Sequence, residues 1–217
     1  MKRPRALDLF CCAGGATKGL QLAGFHVTGV DIAAQPLYCG DKFIQWDALC
    51  VDLDGFDFIW ASPPCQGYSH LTPKDSKPKW DKLIRAVRKR LIDSDTPYCI
   101  ENVVGARKEL RRPVMLCGSM FGLRTQRHRL FEASFPITAP KGCDHSTLPL
   151  LVTTASKASR EKRFALGMKP KTVKNAPLAY GIDWMDFAGL KEAIPPAYSE
   201  HIGRAALAHI ASVRRAA

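Results

Sequence analysis

The sequence predicts a three-layer α/β domain, a mostly parallel sheet with helices on both faces. Two observations carry this. Short apolar runs alternate with helical patterns through the first half of the chain, as a parallel sheet requires. Each of these runs also closes on a glycine, an acid or a cysteine, and such sheets bind ligands beyond the carboxyl ends of their strands. A 217-residue chain that is 46% apolar can bury one core of this kind.

The elements follow in order. Arg5–Phe10 reads as a buried strand, running into Cys-Cys-Ala-Gly-Gly, and Ala16–Ala23 as a helix. Phe25–Asp31, Phe43–Trp46 and Asp57–Ala61 read as strands closing on Asp31, Asp47 and Ser62-Pro-Pro-Cys65. Asp81–Ile92 has a helical face of Leu83, Ile84, Val87 and Leu91. Pro97–Glu101 and Thr125–Phe135 are two more strands. Pro196–Arg215 reads as a helix buried along Tyr198, Ile202, Ala206, Ile210 and Val213. That helix is expected to pack back beside the first glycine loop.

Charge and cysteine content narrow the function. The formal net charge is +12, which favours a polyanionic partner, nucleic acid first. Eight cysteines without a CxxC pair suggest neither a disulfide framework nor a four-thiolate zinc site. Cys143-x-His145, with Cys117 or His128, lacks a recognised zinc spacing, and no metal is expected. No apolar run is long enough for a membrane span, and the amino-terminal residues lack a signal-peptide pattern, so an intracellular chain is expected.

Four motifs bear chemistry. In Asp8-Leu-Phe-Cys-Cys-Ala-Gly-Gly15 the glycines permit close backbone approach, and the following helix amino terminus favours a carboxylate. Asp31 suits a pair of ribose hydroxyls and Asp47 an adenine amino group. In Ser62-Pro-Pro-Cys-Gln-Gly-Tyr-Ser69 two prolines stiffen the chain before a thiol, as a placed nucleophile needs. The strand-end carboxyl of Glu101, in Ile100-Glu-Asn-Val103, can be desolvated enough to keep a proton near neutral pH. Arg127 and Arg129, alternating in a strand, share one face and suit a base carbonyl, a phosphate or Glu101 itself.

Taken in order, these motifs resemble the cytosine carbon-5 DNA methyltransferase family. The resemblance covers about residues 5–135 and again 175–213, ending on Ala193-Ile-Pro-Pro and the helix containing Ile202-Gly. The compact form looks most like the short methylases of bacteriophages. The resemblance implies a Rossmann-like S-adenosylmethionine-dependent methyltransferase fold. Phe10, Ala13, Gly14, Gly15, Asp31, Ile32, Asp47, Ala48, Pro63, Ala193 and Ile194 would hold S-adenosylmethionine. Cys65, Glu101, Arg127 and Arg129 would be catalytic. Pro64, Gln66, Ser69 and Asn102 would contact a flipped cytosine. Lys74, Lys77 and Lys79 in the loop Gly67–Lys79, and Arg160, Lys162 and Arg163, would grip its backbone.

The implied division is a catalytic domain over residues 1–135, a reduced target-recognition segment over 136–174, and a carboxy-terminal segment over 175–217 that returns to the catalytic domain. Residues 136–174 hold eight basic residues against two acids. The implied partner is DNA, met by a monomer in the cytoplasm of a bacterial or phage-infected host. RNA methylation, as in the transfer-RNA-directed branch, and a non-catalytic DNA-binding decoy are the alternatives. Three departures stand out. The family's usual Gln two places before the first arginine is Thr125 here, and its Gly-Asn is replaced by Lys191-Glu192. Its target-recognition region is normally much longer than Pro136–Lys174, so sequence specificity is expected to be short or relaxed.

Overall fold

The computed structural model of the protein describes residues 3–70, 72–146 and 175–216. Seven strands form one sheet: β1 (Arg5–Leu9), β2 (His26–Asp31), β3 (Lys42–Gln45), β4 (Phe58–Ala61), β5 (Tyr98–Asn102), β6 (Val114–Leu116) and β7 (Arg129–Ala133). Their spatial order is β3-β2-β1-β4-β5-β7-β6. All neighbours pair in parallel except β7, which runs antiparallel to both β5 and β6. The helices are α1 (Gly15–Ala23), α2 (Ile84–Asp93), α3 (Ala176–Tyr180), α4 (Phe187–Glu192) and α5 (Pro196–Ala216).

The central strands are apolar on both faces because both are covered. In β1 and β4, Ala6, Phe58 and Trp60 face one layer, while Leu7, Leu9 and Ile59 face the other. The first layer is closed by Leu20 of α1 and by Tyr198, Ile202, Ala206 and Ile210 of α5. The second is closed by Ile84, Val87 and Leu91 of α2.

Glycine sets how closely α5 approaches α1. A Cβ at Gly19 would fall 2.0 Å from the Pro196 carbonyl oxygen, and one at Gly203 2.9 Å from the Ala23 Cβ. The carboxy-terminal helix therefore returns beside the glycine loop, as its apolar face predicts.

The structure differs from the sequence reading in three ways. The strand expected from Thr125 begins only at Arg129, because its last partner in β6 is Leu116 and residues 125–128 turn away to pack elsewhere. Thr125 is buried against Gly118, where a Cβ would sit 2.3 Å from the Thr125 methyl group. β6, α3 and α4 are too short to show a period, and part of the expected loop 67–79 is a 3-10 turn over Lys74–Lys79. Most of the 136–174 segment, with Arg160, Lys162 and Arg163, lies outside the described residues.

Candidate active site

The chain leaves β1 outward toward β2 and β3 and later returns to β4 on the other side. That reversal opens a crevice at the carboxyl ends of β1 and β4, where such sheets bind ligands. A cavity of about 470 Å³ lies there, within the usual range for small-molecule sites. It is lined by Phe10, Gly15, Asp31, Ile32, Asp47, Ala48, Pro63, Ala193 and Ile194, and also by Pro64, Cys65, Gln66, Glu101 and Arg129. The strand ends thus bring the expected nucleophile, acid and most of the expected donor-binding residues to one space.

The glycine loop is strained. Phe10 and Cys12 have φ of 62° and 45°, in a region that side chains seldom adopt. Asp31 holds the loop there: its Oδ2 accepts from the Cys12 amide at 2.9 Å and its Oδ1 from the Ala33 amide at 3.0 Å. Each oxygen keeps a lone pair for a ligand hydroxyl. Gly14, at φ 89°, begins α1 as its cap. Gly15 touches the returning segment as well as the cavity, since a Cβ there would lie 2.6 Å from the Ile194 carbonyl oxygen. Ala13 and Gly14 sit behind the lining; the Ala13 carbonyl accepts from the Trp184 indole at 2.9 Å.

These residues fit S-adenosylmethionine. Asp8, Asp31, Asp47 and Glu192 are acids lining the cavity, suited to a donor with sulfonium and ammonium charges. Asp8 Oδ1 is buried without a hydrogen-bond partner, an unmet acceptor at the cavity floor. The α1 amino terminus carries no side-chain cap, and its first-turn N–H groups suit a carboxylate.

Across the cavity stands the reactive pair. Cys65 follows β4 on a turn closed by the Tyr68 and Ser69 amides, which donate to its carbonyl at 3.0 and 2.9 Å. Burial pushes its thiol pKa up, Glu101 pushes it further, and Arg129 and Arg127 pull it back. Glu101 is buried at the end of β5, with its Oε1 paired to Arg129 Nε at 2.9 Å. Burial raises its pKa, opposed by Arg129, Arg127 and a hydrogen bond to the Ser62 side chain. Burial thus favours the protonated form of Glu101, the direction a proton donor needs.

The other expected residues stand elsewhere. Arg127 precedes β7 and does not share its face: its Nη2 donates to the Lys191 carbonyl at 2.6 Å, and its guanidinium lies over the Tyr180 ring. It ties the catalytic half to the returning segment. Asn102 is buried, donating to the Pro63 carbonyl at 2.9 Å rather than facing the cavity. Ser69 is outside the lining too, and Lys74 and Lys79 are exposed on the 3-10 turn; of Lys77 only the backbone is described.

Sequence reasoning missed Ser62, Trp80, Leu83, Met185 and Glu192, which line the cavity. Ser62 had a signal, standing between a strand end and the rigid Pro-Pro pair. Met185 had none, because its segment has no period linking it to β1.

A sheet in this order, with an acid-lined cavity where the chain reverses, is the arrangement that the resemblance to S-adenosylmethionine-dependent α/β methyltransferases implies. Comparison with known proteins narrows this. The C-5 cytosine-specific DNA methylase family matches residues 5–116, and the chain belongs to that family. The type II methyltransferase M.XorII of Xanthomonas oryzae pv. oryzae is 27% identical, with 60% of this chain and 31% of that protein covered. The chain thus spans about a third of the length of that curated relative. Among solved structures, a putative DNA modification methyltransferase encoded within an E. coli prophage superposes with a TM-score of 0.66 at 16% identity, covering 96% of this chain and 99% of that one. S. pombe Dnmt2 superposes with 0.58 at 14% identity, covering 93% and 98%. These two likenesses are of fold. No helix among the described residues is long and apolar enough to cross a membrane.

Proposed function

We propose that this chain transfers a methyl group from S-adenosylmethionine to carbon 5 of cytosine in DNA, using Cys65 as a covalent nucleophile. The observation that carries the reading is the placement of Cys65 and the Glu101–Arg129 pair on one cavity with the donor-binding acids. S-adenosylmethionine, when bound, supplies an electrophilic methyl group. Asp31, Asp47 and Gly15 would hold it, with Ala193 and Ile194 closing the cavity.

The protein's own groups then divide the work. The Cys65 thiol loses its proton to solvent, and its sulfur bonds to cytosine carbon 6. Glu101, holding a proton, hydrogen-bonds to ring nitrogen 3 and accepts part of the charge that the attack drives into the ring. Arg129 fixes one oxygen of Glu101, so the carboxyl keeps one orientation. Carbon 5, made nucleophilic by that bond, would take the methyl group, the donor leaving as its neutral thioether. Loss of the carbon 5 proton to solvent would then restore the carbon 5–carbon 6 double bond and expel the Cys65 thiolate, a good leaving group as well as nucleophile. Gln66 Oε1, buried and unpartnered on the cavity wall, would accept from a base amino group.

The net basic charge supports a polyanionic substrate, and a DNA substrate fits an intracellular chain. Action as a monomer belongs to the same reading. Residues 1–135 and 175–217 would form the catalytic body and 136–174 a reduced recognition segment. That segment would grip phosphates more than it reads bases, giving short or relaxed specificity; methylation mapping that finds one long strict site overturns this.

The test is transfer of label from S-adenosylmethionine to duplex DNA or RNA, with Cys65→Ser in parallel. Label on DNA that Cys65→Ser abolishes supports the reading. Label on RNA alone, binding without label, or label that survives the substitution overturns it.

A further inference from the structure

Four side chains outside the cavity lining converge without a part in methyl transfer. They are Cys117, His128, Cys143 and His145, whose ligand atoms all lie within 4.8 Å of one another. We propose that they form a structural zinc site of the Cys2His2 type, which roots the segment after β7 to the strand that carries Arg129. The sequence reading expected no metal because the four do not form a spaced pattern. The fold supplies the proximity that spacing lacks.

The geometry suits a tetrahedral ion. Zn–S bonds of about 2.3 Å and Zn–N bonds of about 2.0–2.1 Å set S···N separations at roughly 3.6 Å around one centre. Cys117 Sγ stands 3.4 Å from His145 Nε2, and Cys143 Sγ 3.7 Å from His128 Nε2. The two imidazoles meet edge to face, with centroids 5.1 Å apart and planes at 67°, so both nitrogens point inward without stacking. Two thiols and two imidazoles in such an arrangement select zinc over harder ions. On binding, each thiol gives up its proton, and two thiolates neutralise the divalent charge.

Two of the ligands are fixed by the sheet. Cys117 directly follows β6 and is buried, and His128 directly precedes Arg129 at the start of β7. The other two come from an exposed stretch without regular structure. Ser119 links the two sets: its hydroxyl donates to Cys117 Sγ at 3.4 Å and accepts from the Asp144 amide at 3.1 Å. Such outer contacts orient metal ligands. A metal ion bound by all four side chains would tether the exposed Cys143 and His145 to the sheet.

The site stands whether or not the chain methylates DNA, and its test reads metal rather than activity. The full chain is purified without a histidine tag from zinc-supplemented cells, and its zinc is measured by elemental mass spectrometry. Cobalt(II) chloride is then added to chelator-stripped protein. The expected results are one zinc per chain and the intense visible bands of tetrahedral cobalt with thiolate ligands. Cys143→Ser and His145→Ala, both exposed positions, should lose at least nine-tenths of the zinc while keeping the far-ultraviolet circular dichroism of the parent. Cys50→Ser, an exposed cysteine elsewhere, should keep the zinc. Parent protein with little zinc and no tetrahedral cobalt spectrum overturns the proposal, as does Cys143→Ser retaining the parental zinc content.

Discussion

Asn102, at the end of β5, donates its side-chain amide to the carbonyl of Pro63, 2.9 Å away in the turn after β4. The bond crosses between neighbouring strands and joins the residue after Glu101 to the turn that presents Cys65. Its other side-chain atom, Oδ1, accepts from the Val103 amide at 3.0 Å, so the orientation is fixed at both ends. The acid and the nucleophile are thereby held in one frame.

Asn102→Ala should therefore slow methyl transfer by about tenfold to a hundredfold, through kcat more than KM, since small misplacements of reacting groups cost that much. Asn102→Asp should behave similarly, because a carboxylate cannot donate to the Pro63 carbonyl. Steady-state rates on duplex DNA check this. Unchanged kcat in both variants would show that the turn holds Cys65 without help.

The ionisation of Cys65 should depend on Glu101. Burial is the largest cause of its raised pKa, and the Glu101 carboxylate is the next. Where Glu101 is ionised, Glu101→Gln removes its negative charge, so the thiolate should form at lower pH. The midpoint of Cys65 alkylation by iodoacetamide, followed against pH by peptide mass spectrometry, should move down in Glu101→Gln. An unchanged or higher midpoint would mean that the two groups do not sense each other. Methyl transfer should nonetheless fall steeply in the same variant, because the proton donor is gone.

Much of this arrangement was legible in the sequence for one physical reason. In a parallel sheet the strand ends gather at one edge, so a list of residues after apolar runs becomes a list of neighbours. Asp31, Asp47, Cys65 and Glu101 line the cavity on that basis. Arg127 was misplaced because alternation alone does not say where a strand begins, and Thr125 is claimed by the Gly118 turn. Met185 and Glu192 come from segments too short for periodicity, delivered to the cavity by the docking of α5 on α1. Cys117, His128, Cys143 and His145 were singled out in the sequence, but their convergence was not legible, since it depends on an antiparallel turn whose partner strand β6 is three residues long.

β7 is clamped from behind by a buried ion pair. Arg88 of α2 meets Glu132 with two contacts of 2.6 Å, and the same carboxylate accepts from the Arg111 amide at 2.6 Å. Both side chains are nearly inaccessible, at 7% and 2%. Removing one partner leaves a buried charge, which typically costs about 3–5 kcal/mol. Arg88→Met should thus lower the stability measured by urea unfolding by that amount. A loss under about 1 kcal/mol would show that Glu132 is satisfied by the Arg111 amide alone.

Asp8 supplies the last prediction. It is fully buried in β1, and burial raises its pKa from 3.8 to about 7, with the Thr17 hydrogen bond opposing the rise. The Thr17 hydroxyl donates to its Oδ2 at 2.5 Å, while Oδ1 has no partner. A raised acid binds its proton more tightly in the folded than in the unfolded state. Its contribution is fully present below the unfolded value of 3.8 and is lost as pH rises through about 7. The loss is at most roughly 4 kcal/mol, since each pKa unit is worth about 1.4 kcal/mol. Asp8→Asn is neutral at every pH and can still accept from Thr17. Its Tm should therefore exceed that of the parent above pH 7, and the difference should shrink as the pH falls toward 4. Parallel Tm profiles over this window would mean that Asp8 titrates alike in both states.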